Sequence, residues 1–205
     1  MGSLIYKNFK SQTSLSEEKY EKLKIFFKLI KLWQKKFNLV SKNSFKTIWE
    51  RHFLDSYQII GLIGNKKKVL DIGSGAGFPA IVCAICSNNN FHLIESNKKK
   101  CIFLNEVKEV VGIKNISIFN SRIETMKIDN DYDCISARAV APLDKLMNYI
   151  VKFYKKNMSC IFLKGKTINK EIEDAKKRFS FDLKFKKSIT SDEGRILIVK
   201  NLKKK

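Results

Sequence analysis

Three features of this sequence predict an α/β protein with a mostly parallel sheet, a C-terminal antiparallel hairpin and an N-terminal helical extension. From residue 66 onward, short apolar runs alternate with helical patterns. The first apolar run feeds directly into a turn with glycine at alternate positions. The end of the chain then changes to two extended segments around a polar turn. Alternation of the first kind builds parallel βαβ units, whose ligands sit at the carboxyl ends of the strands.

In chain order, residues 1–64 read as helices packed on a domain spanning 65–205. Ser14 with Glu17 makes a capping box, after which Leu23, Phe26, Phe27, Ile30, Trp33 and Phe37 recur at helical spacing. A second box, Thr47 with Glu50, is expected to open a helix carrying Trp49, His52, Phe53, Tyr57 and Ile60. Strands are expected at 69–72, 91–95, 116–119, 133–137 and 160–163. Helices are expected near 80–87, 98–111, 143–156 and 168–179. The segments 181–189 and 195–202 flank Ser191-Asp192-Glu193-Gly194 as a closing hairpin.

Composition narrows the function. A chain of 205 residues, 44% of them hydrophobic, can bury one sizeable core. No apolar run is long enough to cross a bilayer and no signal-peptide pattern opens the chain, so a soluble, cytoplasmic, monomeric protein without a membrane partner is expected. Lys and Arg number 41 against 20 Asp and Glu, a formal charge of +21. Such a field attracts polyanions, so RNA or DNA is favoured as the partner over a surface that is merely lysine-rich. Cys83, Cys86, Cys101, Cys134 and Cys160 fall within apolar elements and read as buried thiols. Cys83-x-x-Cys86 has no second pair at ligand spacing, so no metal is expected.

The most informative stretch is Val69-Leu70-Asp71-Ile72-Gly73-Ser74-Gly75-Ala76-Gly77-Phe78-Pro79. Glycine at 73, 75 and 77 lets a ligand approach the main chain where a side chain would collide. The helix after it is expected to aim free N–H groups at the ligand. Phe78 stands where a dinucleotide fingerprint would have glycine. The next strand ends in Glu95, placed to accept from a ribose diol. Together these look like a Rossmann-like S-adenosylmethionine methyltransferase core, with NAD or another nucleotide as the alternative ligand.

Further motifs sharpen the likeness. Arg51-His52-Phe53-Leu54-Asp55-Ser56, the glycine turn, Arg138-Ala139-Val140-Ala141-Pro142-Leu143 and Leu163-Lys164-Gly165, in that order, closely resemble the RsmG family, formerly called glucose-inhibited division protein B. Its members are 16S rRNA guanine-N7 methyltransferases, and the likeness runs from about residue 20 to 200. It implies S-adenosylmethionine as cofactor, 16S rRNA or the small ribosomal subunit as partner, and a cofactor site at Gly73, Phe78, Ile123, Glu124 and Arg138. Where this chain has Ile123 and Ala80, the family usually has alanine and glycine.

Several polar residues remain to be assigned. Arg138 offers a planar fork at a strand end. His52 and Asp55, three apart, are expected to pair on one helix face, and the family motif suggests that this helix borders the substrate entrance. Arg138, Asp55 and His52 are thus the candidates for positioning chemistry. Arg51 and Lys164 are candidate RNA contacts, with helix capping as the alternative role for Lys164. Guanine N7 carries a lone pair and no proton, so its methylation needs alignment rather than a base. No Pro-Cys element or Asn-Pro-Pro-aromatic run supports cytosine-C5 or adenine-N6 chemistry. The alternatives are another RNA or a small-molecule substrate, or RNA binding without catalysis.

Overall fold

The computed structural model describes residues 2–128 and 131–205. Its strands are β1 (Lys68–Ile72), β2 (Asn90–Glu95), β3 (Ile116–Asn120), β4 (Cys134–Arg138), β5 (Ser159–Lys164), β6 (Phe179–Lys187) and β7 (Arg195–Lys204). They form one sheet in the order β3-β2-β1-β4-β5-β7-β6. The first five pair in parallel, whereas β7 runs antiparallel to both β5 and β6. Strand order reverses between β1 and β4, which opens a crevice at their carboxyl ends.

The apolar runs are continuous because helices cover both faces of the sheet. Val69, Phe91, Cys134 and Ile161 point into one apolar cluster, and their neighbours Leu70, Ile135, Cys160 and Phe162 into the other. The first cluster is shared with α1 (Gly2–Ser11), α2 (Glu17–Gln34), α6 (Ala80–Cys86) and α7 (Lys98–Val111). The second takes in α8 (Leu143–Ile150) and α9 (Ile168–Arg178). Between α2 and β1 lie α3 (Lys42–Lys46), a π-helical stretch (Trp49–Leu54), α4 (Asp55–Tyr57) and α5 (Ile60–Ile63). The N-terminal helices are therefore packed into the core of the sheet itself.

Element boundaries differ from the sequence expectation in several places. Ser16, not Ser14, caps α2, its hydroxyl accepting from the Lys19 N–H. Thr47 closes α3 rather than opening a helix, because Ser41 supplies the cap for α3 and the chain continues from it into the π-helical stretch. The helix expected over 143–156 ends at Ile150, and the residues after it form a turn. Finally, β6 begins at Phe179, two residues before the predicted strand. By contrast α7 ends as its sequence suggests. Gly112 takes a left-handed φ of 70°, and the Gly112 and Ile113 N–H groups bond back to Glu109 and Lys108.

All five cysteines are buried free thiols. Burial pushes Cys86 and Cys134 up to about 12 and Cys83 and Cys160 well above the ordinary thiol range. His92 is half-buried with Nδ1 bonded to the Tyr132 hydroxyl at 2.8 Å. Among the described residues, no helix is long and apolar enough to cross a membrane, and no group of three metal-binding side chains converges.

Candidate active site

A cleft of about 460 Å³ opens at the carboxyl ends of β1 and β4. The glycine turn forms one wall, and the stretch from Arg51 to Asp55 lies over it. Arg138 stands between them, and residues 188–195 form the far wall.

The glycines of the turn do two different jobs. A Cβ on Gly73 would lie 2.7 Å from Val140, and one on Gly77 would lie 2.5 Å from Ile81, so both are demanded by packing. Gly75, at φ +58°, would meet only the Gly73 carbonyl oxygen at 3.7 Å. The space beside Gly75 is therefore open, on a residue that lines the cleft. Glu95 stabilises this turn: Oε2 accepts from the Gly75 N–H at 2.8 Å and Oε1 from the Asn97 N–H at 2.7 Å. Glu95 itself is buried beneath the turn and does not border the cleft. The helix after the turn, α6, is seven residues long and buried, and its Ile81 and Cys83 N–H groups are taken by the Gly77 and Pro79 carbonyls at 2.7 and 3.1 Å, so neither is free for a ligand as expected.

Behind the turn, Asp71 is fully enclosed. The Ser136 hydroxyl donates to Oδ1 at 2.6 Å, while Oδ2 has no partner among the described residues. Burial pushes the carboxyl up to about 6, although Ser136, Ser74 and the Arg138 charge act against the shift.

Arg138 makes the second half of the site. Nη1 donates to the Arg51 carbonyl at 3.1 Å and to Asp55 Oδ2 at 3.2 Å, and Nη2 donates to His52 Nδ1 at 2.6 Å. Its guanidinium carbon sits 5.2 Å from the centre of the Phe78 ring, a cation–π distance. Because Nδ1 accepts, the neutral imidazole carries its proton on Nε2. Burial, reinforced by the charges of Arg138 and Arg51, lowers the His52 pKa to about 3. The expected direct pair between His52 and Asp55 is replaced by this arrangement, in which Arg138 bonds to both, and the intervening turn is π-helical rather than α-helical.

The other candidates are dispersed. Ile123 is buried and Glu124 exposed in the turn after β3, and neither borders the cleft. The Glu124 carbonyl accepts from Lys152 Nζ at 2.8 Å. Arg51 is exposed at the cleft mouth. Lys164 lines the cleft, but its ammonium is enclosed, donating to the Ala141 carbonyl at 2.6 Å and to Glu171 Oε2 at 2.7 Å. Sequence reasoning missed the far wall. Asp55 Oδ1 accepts from the Thr190 hydroxyl at 2.9 Å and from Gln58 Nε2 at 2.8 Å, which ties the π-helical stretch to a turn some 130 residues away. No local pattern signals such a contact.

The fold is that of the S-adenosylmethionine-dependent methyltransferases. A solved S-adenosylmethionine-dependent methyltransferase from Aquifex aeolicus shares the fold at a TM-score of 0.57, with 15% identity, covering 71% of this chain and 88% of that one. The ribosomal protein L11 methylase of Lactobacillus delbrueckii subsp. bulgaricus gives 0.58, with 19% identity over 76% of this chain and 78% of that one. Within that class, the chain belongs to the rRNA small subunit methyltransferase G (GidB) family, whose model matches residues 19–198. Proteins named ribosomal RNA small subunit methyltransferase G are 44% identical in Rickettsia felis, over 90% of this chain and 94% of that one, and 42% identical in Rickettsia prowazekii, over 93% and 98%. The site fits the cofactor of the class. Gly75 leaves room where any side chain would intrude, and Glu95 lies beneath the same turn.

Proposed function

We propose that this chain methylates N7 of a guanosine in 16S rRNA with S-adenosylmethionine. The observation that carries this reading is that the cleft is open beside Gly75 while, among the described residues, it holds no uncommitted base. His52 is neutral with Nδ1 already accepting from Arg138, and both Asp55 oxygens accept hydrogen bonds. The cysteines are buried thiols without thiolate character. Such a site suits a nucleophile that carries no proton to remove, and N7 of guanine is one.

Bound in the cleft, S-adenosylmethionine supplies an electrophilic methyl group on a sulfonium sulfur. The residues of the chain then act by holding and orienting. Gly73, Gly75, Gly77 and Phe78 shape the cofactor wall and Glu95 accepts from the ribose, while, on the family likeness, the adenine lies beyond the cleft, toward Ile123 and Glu124 in the turn after β3. Arg138 holds its charge beside the methyl donor, and Asp55 and His52 fix the plane of its guanidinium. Arg51 meets RNA phosphate at the cleft mouth. Alignment of this kind is worth on the order of 7 kcal/mol when geometry is good.

Incubation with tritiated S-adenosylmethionine is expected to label 16S rRNA, and borohydride reduction followed by aniline should cleave the product at one guanosine. Labelled RNA that resists aniline would move the methyl group off N7. Absence of label, from folded protein that binds S-adenosylmethionine, would defeat the reading altogether.

A further inference from the structure

The far wall of the cleft, residues 188–195, belongs to the turn joining β6 to β7, and it is built with unusual care for a surface turn. Gln58 spends both ends of its amide on it: Nε2 donates to the Ser188 hydroxyl at 3.1 Å, and Oε1 accepts from the Ile189 N–H at 3.0 Å. Asp55 Oδ1 accepts from the hydroxyls of Ser188 and Thr190 at 3.3 and 2.9 Å. The turn closes on itself, with the Ser188 N–H bonded to the Gly194 carbonyl at 3.1 Å, and a Cβ on Gly194 would lie 2.8 Å from that of Ser188. Since Asp55 Oδ2 holds Arg138, one carboxylate locks the turn and the buried arginine into a common frame.

At the end of this turn stands Arg195, which lines the cleft and lies opposite Lys164 in the β5–β7 register. Two other cations of the cleft are committed, Arg138 to Asp55 and Lys164 to Glu171. Arg195 instead donates Nη1 to the carbonyls of Asp192 and Gly194, at 2.6 and 2.9 Å, and makes no ion pair among the described residues, even with the adjacent acids Asp192 and Glu193. Two carbonyls thus aim the guanidinium, while its Nη2 and Nε donors meet no partner among the described residues. A planar fork held in that way is suited to a phosphate.

We infer that the 188–195 turn is a binding site for a backbone phosphate of the RNA substrate, with Arg195 as the contact and Gln58 as the positioning residue that fixes the turn. The inference rests on the reading that the substrate is RNA. Gly73, Gly75 and Glu95, proposed above as the cofactor side, stand at the ends of β1 and β2. The turn lies across the switch point, beyond β4 and β5, where the second reactant must enter.

Binding of a 16S rRNA transcript to the wild type, Arg195→Gln and Gln58→Ala across a salt series tests it, with calorimetry of S-adenosylmethionine on the same samples. Arg195→Gln is expected to weaken RNA binding about tenfold at low salt. It should also flatten the slope of log affinity against log salt by about 0.7 to 0.9, the loss of one phosphate contact, with cofactor affinity unchanged. Gln58→Ala should raise the RNA KM with little change in the KM for S-adenosylmethionine. Unchanged RNA affinity and slope in Arg195→Gln would overturn the inference, as would a parallel loss of cofactor affinity in both variants, which would make the turn merely structural. Should Arg195→Gln fail to fold, Arg195→Lys keeps the charge and must keep the salt slope. A lowered slope there would also overturn it. Wild-type protein that binds the cofactor but neither binds nor labels 16S rRNA defeats the substrate reading instead.

Discussion

The two halves of the cleft are made of different material. The wall proposed for the cofactor is backbone: glycines at 73, 75 and 77 with Glu95 beneath, all within one βαβ unit and bonded across 20 residues at most. The opposite half consists of side chains, in which Arg138 reaches Arg51, His52 and Asp55 across 83 to 87 residues. A wall of backbone fails when an atom is added to it. A set of balanced charges fails when one member is removed.

The largest expected effect is on the backbone wall. Gly75→Val should lower S-adenosylmethionine affinity by about a hundredfold or more, since the new side chain fills the open space beside the turn. Strain at φ +58° adds a stability cost of about 1–2 kcal/mol. Gly77→Ala should do the reverse. Its methyl meets Ile81 at 2.5 Å, so unfolding should become easier by about 1–3 kcal/mol, with less harm to binding. Calorimetry beside thermal melts separates the two. Normal affinity in Gly75→Val would mean that the cofactor lies elsewhere.

On the other side, Arg138→Ala should cost about a hundredfold in turnover through lost alignment. Arg138→Lys should restore little of it, because an ammonium cannot serve Asp55, His52 and the Arg51 carbonyl in one plane. Single-turnover rates of both variants, measured at saturating cofactor, check this. Full rescue by lysine would reduce the arginine to a point charge.

The same comparison extends to pH, because the two halves contain buried groups of opposite sign. His52 is pushed from 6.5 down to about 3, so the unfolded chain binds a proton that the folded one refuses. Its contribution to stability is present above pH 6.5 and is lost as pH falls toward 3. Asp71 is raised from 3.8 to about 6, so its contribution is present below 3.8 and is lost as pH rises through 6. Urea unfolding between pH 4 and 8 should show His52→Phe flattening the first dependence and Asp71→Asn the second. If neither slope changes, the groups are not buried in these protonation states.

The contrast also explains what could be read from the chain alone. Parallel strands, the glycine turn and Glu95 were legible because each is a local pattern: apolar runs mark strands covered on both faces, and alternate glycines mark a close approach. Arg138, His52 and Asp55 were legible as individual candidates only. Their partnership depends on the π-helical stretch packing over the end of β4, and a spacing rule for α-helices paired the wrong two side chains. Gln58, Ser188 and Thr190 look like ordinary surface residues in sequence. Only sheet closure, which sets β7 against β5, brings their turn to the cleft.

Lys164 gives the smallest effect and the finest test of the boundary between site and scaffold. Its ammonium joins the Ala141 carbonyl to Glu171, whose carboxylate also accepts from the Thr167 hydroxyl at 2.9 Å and the Leu143 N–H at 3.0 Å. Burial alone would raise the Glu171 carboxyl, yet the bonds from Lys164 and Thr167 hold it below the usual range. These bonds pin the starts of α8 and α9 to the end of β5. Lys164→Met should therefore lower stability by about 1–3 kcal/mol, the cost of leaving a partly buried carboxylate short of one donor. The RNA salt slope should stay as in the wild type, in contrast to the loss expected for Arg195→Gln. If Lys164→Met instead loses slope and keeps its melting temperature, the lysine leaves Glu171 to meet phosphate, and the far wall holds two RNA contacts rather than one.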